Sequence, residues 1–385
     1  MNRFFLFLLS VFWCMAGISA NHPSSLLPLP QKYSFNGKQV NAKMAVEERI
    51  VAQIDGAKFQ EEAYHLSITP KKIILEATTP KGMYWGRQTL EQLKYTKNKK
   101  TWVPQCDITD WPAFRIRGFM HDVGRSYIPV EELKREISLL SRYKINVFHW
   151  HLTENQAWRL ECRKYPQLNA PENMEREKGK FYTLDEARQL VEFCKQHQVL
   201  LIPEIDMPGH SAAFERTFKT DMQSEQGTQI LKDIIDEVCA TFDVPYLHIG
   251  TDEVQFTNPD FVPMMVKYIR DKGKKVISYN PGWNYKPGEI DMTQLWSYRG
   301  KAQKGIPAID CRYHYANHFD TYADLVAMFN SRIYNQPEGS DDLAGCIVAF
   351  WNDRFIDNTS QLLAENNFYP YMLTLAERAW RGGGN

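Results

Sequence analysis

Two carboxyls stand side by side in this chain, Asp252 and Glu253, behind the short apolar run Tyr246–Ile249. Cleaving an acetal takes a proton donor for the leaving oxygen and a negative group facing the positive charge that grows on the sugar. Strict strand alternation would send neighbouring side chains to opposite faces. Both acids can therefore enter one cavity only if the chain turns at the strand end. Two close carboxyls in a sheltered site cannot both ionise easily, so one is expected to be raised in pKa and to serve as the acid. His149 and His151 lie two apart, which puts both on one side of a strand. That spacing could bind metal. The preferred reading is that they hydrogen-bond within a core and that the site uses neither metal nor any other cofactor.

Other polar residues end apolar runs in the same way. The runs are 116–122, 145–151, 199–206, 246–252, 276–279, 293–296, 307–310 and 347–351. They finish on His121 and Asp122 (with Arg125 close behind), His149 and His151, Asp206 (with His210 behind), Asp252 and Glu253, Tyr279, Trp296, Asp310, and Trp351 with Asp353. Amphipathic helices are expected over 130–143, 184–197 and 231–242. Strands alternating with helices imply a parallel sheet. Eight such units in about 270 residues fit a closed (β/α)8 TIM barrel, whose chemistry gathers at the C-terminal strand ends. The alternative, an open doubly wound sheet, lacks a Gly-rich phosphate loop after its first strand. Helices after strands five and six are poorly marked.

Residues 22–110 read as a separate small α+β domain, so the fold class is α/β, a barrel over 111–385 preceded by that domain. Its signs are short β-rich runs at 64–70 and 72–77, a helical pattern at 82–93 and an exit at Asp110–Pro112. Residues 1–20 resemble a secretory signal, with Arg3, a short apolar run and a small-residue exit. The protein is therefore expected to be exported, periplasmic or extracellular. No later stretch approaches eighteen apolar residues, which argues against membrane insertion. Lys+Arg and Asp+Glu are both 46, which gives no basis for electrostatic capture of nucleic acid. The chain is rich in aromatic residues, with ten Trp. That suits stacking on sugar faces or an aromatic core. The six cysteines beyond the leader are scattered and read mostly as buried thiols, although export permits a disulfide.

Taken in order, several stretches resemble glycoside hydrolase family 20, the β-N-acetylhexosaminidases. They are Phe114–Gly118, Asp122 with Arg125, Lys144–Thr153, Pro203–Ser211, His248–Glu253 and Leu375–Trp380. The resemblance runs from about residue 25 to the end and includes the family's small N-terminal domain. It implies a retaining exo-enzyme acting on a terminal β-linked GlcNAc or GalNAc of a glycan, in which the substrate's own acetamido oxygen attacks and forms an oxazolinium ion. It also implies roles. Glu253 matches the general acid/base, Asp252 the holder of the acetamido N–H, and Arg125 the arginine on ring hydroxyls. Asp206 and His210 match a pair supporting the acid. Trp296 and Trp351 match cavity walls, and Asp310 and Asp353 match readers of distal hydroxyls. Glu154, Tyr279 and His151 complete the candidate site.

The family pattern is broken in places. Thr251 replaces a Gly, Glu154-Asn155 an Asp-Asp, and Asp353 the more usual Glu. Tyr279 stands for a tryptophan unless Trp283 substitutes. Ala308 stands where a tyrosine steadies the acetamido oxygen, unless Tyr313 or Tyr315 reaches in. Arg312, beside His314 and His318, raises the alternative of a 6-sulfated sugar, against which stands simple pairing with Asp310 or Asp320. Two further alternatives are a metal-dependent amidohydrolase built on His149, His151, His210 and Asp252, and a glycan-binding protein without turnover.

Overall fold

The computed structural model describes residues 26–312, 315–317, 325–353 and 368–383. The leader-like segment and Tyr313, His314, His318 and Asp320 lie outside them. The chain divides into two compact units, Met1–Pro112 and Ala113–Asn385.

In the first unit β1 (Lys32–Asn41), β2 (Val46–Ile50), β3 (Tyr64–Ile68), β4 (Ile73–Ala77), β5 (Tyr95–Lys97) and β6 (Lys100–Asp110) form one sheet. Its order is β1-β6-β3-β4-β2, with β5 on β6; the β2–β4 pair is parallel and the rest are antiparallel. Helix α1 (Pro80–Leu93) starts where Thr79 accepts a hydrogen bond from the Gly82 N–H. Pro80 presets its first turn. Its buried stripe of Met83, Trp85, Leu90 and Leu93 covers the sheet. The outer strands β1 and β2 are nearly all exposed, so they carry none of the apolar alternation that marks β3 and β4.

The second unit is a closed barrel of parallel strands. They are β7 (Ile116–Asp122), β8 (Val147–His151), β9 (Leu200–Glu204), β10 (Tyr246–His248), β11 (Lys275–Asn280), β12 (Met292–Leu295), β13 (Ala308–Asp310) and β15 (Leu343–Trp351), with β15 pairing both β13 and β7. Met120, Val147, Ile202, Ile277, Ile309 and Ile347 fill its interior. Outward residues such as Phe119, Phe148 and Trp150 join the larger core beneath the helices. Those helices are α2 (Val130–Arg142), α3 (Leu184–Gln196), α4 (Ala212–Phe218), α5 (Glu225–Thr241), α6 (Phe261–Asp271), α7 (Leu325–Asn330) and α8 (Phe368–Arg381). Helix α2 buries Val130, Leu133, Ile137 and Leu140, the helical spacing visible in the sequence. Helix α3 opens with a capping box, Thr183 with Glu186, worth about 1 kcal/mol. No described helix is long and apolar enough to cross a membrane.

Two departures shape the rim. Among the described residues no helix follows β11 or β12; residues 281–291 and 296–307 are irregular connections instead. The seventh strand is also interrupted, because after β13 it resumes as β14 (Tyr315–Asn317), paired in parallel with the last residues of β15. The described cysteines are all unbridged, and all but Cys239 are buried.

Candidate active site

The sharp turn demanded by the Asp252–Glu253 pair is present. Gly250, Thr251 and Glu253 all have positive φ, at 64°, 83° and 49°. Any Cβ at Gly250 would collide with the Asp206 carboxyl, so only glycine fits there. Thr251, where the family has glycine, is β-branched and disfavours this backbone. It is held by a hydroxyl contact of 2.6 Å to Ser278. The turn brings both acids to one small cavity of about 160 Å³, lined also by Arg125, His210, Trp296, Tyr315, Trp351 and Asp353.

Arg125 is fixed by three carboxylates. Its guanidinium donates to Asp122 at 2.9 Å and contacts Glu154 at 2.5 Å and Asp353 at 3.6 Å. It lies 5.2 Å from the Trp351 ring centre. Burial opposes its charge, but Asp122 and Glu154 outweigh that and raise its pKa further. Glu154 also holds His210, with Nδ1 2.6 Å from Oε1, and the other imidazole nitrogen lies 3.6 Å from Glu253 Oε2. Burial would lower the pKa of His210; the Glu154 contact and the Asp206 charge prevail, and it is pushed up to about 10. Glu154 therefore works from behind Arg125 and His210, fully buried, rather than from the cavity wall.

One acid of the pair is raised, as the sequence argument requires, but it is Asp252. Burial, helped by Glu204 and opposed by His210, pushes it up to about 7. Burial and the Asp252 charge hold Asp206 well above the usual range too. Glu253 instead stands at the rim with its side chain 57% exposed. Among the described residues Asp252 Oδ1 is buried and has no hydrogen-bond partner.

Beneath the cavity Glu204 gathers three histidines from neighbouring strands. Its carboxylate lies 2.8 Å from His149, 2.7 Å from His151 and 3.2 Å from His248, and Tyr279 donates to it at 3.3 Å. Burial would raise Glu204, but His151 and its partners hold it well below the usual range. Burial would likewise lower His151, but Glu204 prevails and pushes it up to about 9. His149 is driven down to about 4 by burial. His151 also packs edge-on against Trp351, with ring centres 5.1 Å apart. His121, on the other face of β7, points outward to Glu136 of α2 at 2.7 Å.

Among the described residues ligand-type atoms converge in three groups: His149–Glu204–His248, His151–Glu204–Asp206 and Asp206–His210–Asp252. The four residues of the amidohydrolase alternative do not share one group but are spread over all three. His149 and His151 are committed to Glu204, whereas His210 and Asp252 belong with Asp206.

Three expectations need correction. Asp310 ends β13, but it is not among the residues that line the cavity. It pairs with Cys346, five residues before Trp351 on β15. Its carboxylate is occupied by Arg312 at 2.8 Å and by the Tyr334 N–H at 2.7 Å. That pairing, with Arg312 stacked 4.3 Å over Tyr334, removes the residue on which a sulfated sugar was argued. Tyr279 is not a cavity wall but is wholly buried on His248 and Glu204, and Trp283 packs on Phe256 instead. Tyr315, on β14, lines the cavity 6.3 Å from Trp351, ring centre to ring centre. Asp122 and Glu204 are the supporting residues that sequence reasoning left without a role.

A closed (β/α)8 barrel that presents paired acids, an arginine and tryptophans at the C-terminal ends of its strands defines a protein of the glycoside hydrolase class. Residues 114–226 match the catalytic domain of glycosyl hydrolase family 20, and residues 24–111 match that family's domain 2. The chain belongs to glycosyl hydrolase family 20. It is 34% identical over 249 residues to a beta-hexosaminidase of Porphyromonas gingivalis and 36% identical over 230 residues to one of Vibrio furnissii. Those matches cover 56% and 50% of this chain but only 32% and 38% of the relatives, so the match spans about a third of their length. In fold it is similar to a beta-N-acetylhexosaminidase from Bacteroides fragilis, with TM-score 0.81 and 24% identity over 94% of this chain and 92% of that one. An exo beta-N-acetylglucosaminidase from Vibrio harveyi gives a TM-score of 0.80 at 22% identity, over 94% of this chain and 74% of that one.

Proposed function

We propose that this chain removes a terminal β-linked N-acetylhexosamine from glycans, with retention, through attack by the substrate's own acetamido oxygen. The observation that carries the reading is Asp252 Oδ1, a buried acceptor without a partner among the described residues, on the wall of the small cavity beside Glu253. An acetamido N–H would satisfy it, and the same group brings the carbonyl oxygen that a plain hexose, with only a 2-hydroxyl there, lacks.

In this account Arg125 and Asp353 take ring hydroxyls, and Trp351 and Trp296 wall the sugar. The acetamido oxygen attacks the anomeric carbon as the bond to the leaving oxygen breaks, and Glu253 gives that oxygen its proton. The N–H becomes more acidic as the oxazolinium forms, so its bond to ionised Asp252 strengthens in the transition state. Tyr315 donates to the acetamido oxygen and aims it. Water, deprotonated by Glu253, then opens the oxazolinium from the face the leaving group left, which restores the β configuration. His210 and Glu154 hold Glu253 and Arg125 in place. The leader-like residues 1–20 support export of the enzyme.

The test is hydrolysis of aryl β-glycosides of GlcNAc and of glucose, side by side, without added metal. Turnover of the GlcNAc compound alone is expected. Comparable turnover of the glucoside would rule out acetamido participation.

A further inference from the structure

A second, larger cavity of about 650 Å³ adjoins the first and shares two walls with it, Glu253 and Trp296. Its remaining walls come largely from the two connections that lack helices, after β11 and β12. They supply Asn284, Arg299, Lys301 and Gln303, with Phe256 from the loop after β10. The indole of Trp296 is pinned between the cavities by its hydrogen bond to the Pro281 carbonyl at 2.7 Å.

This arrangement fixes which part of a glycan would lie there. With the terminal sugar in the small cavity against Asp252 and Arg125, the bond to be cut must lie at Glu253. The leaving sugar then continues past Glu253 into the larger cavity. Among the described residues Glu253 is the only acid on that cavity's wall, and Arg299 and Lys301 are its only cations. Both cations are exposed, and among the described residues neither side chain has an ion pair, a hydrogen bond or a ring contact. Arg312, by contrast, is consumed by Asp310. A wall with two uncompensated cations favours an anion, and the guanidinium fork suits a planar or tetrahedral oxyanion.

We propose that the larger cavity receives the leaving sugar and that Arg299 and Lys301 select one bearing an anionic group, a uronate carboxylate or a sulfate ester. The proposal deepens the hexosaminidase reading and rests on it. It places the charge requirement on the sugar released, while the sugar cleaved off stays neutral.

The test uses the full chain and four substrates: aryl β-GlcNAc, and GlcNAc β-linked to glucose, to glucuronic acid and to 6-sulfated glucose. Each is assayed with wild type, R299A and the R299A/K301A double variant, at low and at high salt. We expect kcat/KM for at least one charged disaccharide to exceed that for the glucose-linked one on the order of tenfold. That ratio should shrink with added salt, as screening of exposed charges requires. It should collapse toward one in the double variant. The arm that is preferred names the group, carboxylate or sulfate. A wild type that prefers the glucose-linked sugar, or a preference untouched by the double variant, overturns the proposal. The aryl glycoside reads the hexosaminidase assignment separately. If nothing is turned over, that assignment fails, and calorimetric binding of the three disaccharides then decides the cation proposal, equal affinities overturning it.

Discussion

Replacing His210 with asparagine removes one positive charge from a site whose key carboxyl depends on it. His210 stays protonated to about pH 10, and one of its nitrogens lies within 4.8 Å of carboxylate oxygens of both Asp206 and Asp252. Asp252 sits at about 7 because burial raises it and the His210 charge pulls it back down. Two unit charges at that separation interact by about 3.5 kcal/mol at an effective dielectric constant of about 20, or about 2.5 pK units. Water entering the space left by the imidazole reduces this, so a rise in Asp252 of roughly one to two units is expected. Asparagine can still donate a hydrogen bond to Glu154, so the frame around Arg125 is kept. In the proposed mechanism ionised Asp252 is the active form. The acid limb of kcat/KM, which reports groups of the free enzyme, should therefore move from near pH 7 in wild type to about 8 or above in H210N. The assay is initial rates on an aryl β-GlcNAc well below saturation, from pH 5 to pH 10, quenched in alkali so that the readout does not vary with pH. An acid limb that stays in place or moves to lower pH would refute the reasoning, because no structural role for His210 predicts an upward shift.

Further outcomes follow from the same geometry. E253Q should lose about 100- to 10,000-fold on substrates with poor leaving groups and much less on activated aryl glycosides; equal losses across a leaving-group series would count against a proton donor. Y315F should lower kcat by about 100-fold with little change in KM, since a donor to the attacking oxygen matters most in the transition state; a loss below about threefold would remove Tyr315 from that role. E204Q should cost about 3–5 kcal/mol in chemical denaturation, because it leaves a charged His151 buried without its partner. The folded pKa of His151, about 9, lies above its ordinary value of 6.5. Its contribution is therefore full below pH 6.5 and is lost as pH rises through 9. In wild type, stability should fall across that window; in E204Q the fall should be much shallower, and an unchanged slope would show that the pair does not govern it.

The strands of the barrel were legible because each buries an apolar run that ends in polar residues, a pattern that survives in β7, β8, β9 and β11 almost residue for residue. Alternation also placed His149 and His151 together on the inside of β8. What they meet there was not legible, since Glu204 and His248 arrive from other strands and only the closed sheet brings them together. The partners of Asp310 were not legible for a related reason. Ala308–Asp310 and Tyr315–Asn317 are equally short runs, and only their pairing with different halves of β15 shows that the seventh strand resumes after a break. Asp252 and Glu253 shared a cavity on paper only if the chain turned, and three positive φ angles in four residues are that turn. The irregular connections after β11 and β12 left faint sequence traces, and the cavity they help line could not be read without coordinates.

The central claim is that the substrate's acetamido oxygen is the nucleophile, with Asp252 and Glu253 serving it. It is tested most directly by kcat/KM for aryl β-GlcNAc compounds whose N-acetyl group carries zero, one, two or three fluorines, because each fluorine weakens that oxygen as a nucleophile while leaving the leaving group unchanged. The account predicts a steep, monotonic fall along the series. A flat series would mean that the oxygen does not attack, and would contradict it.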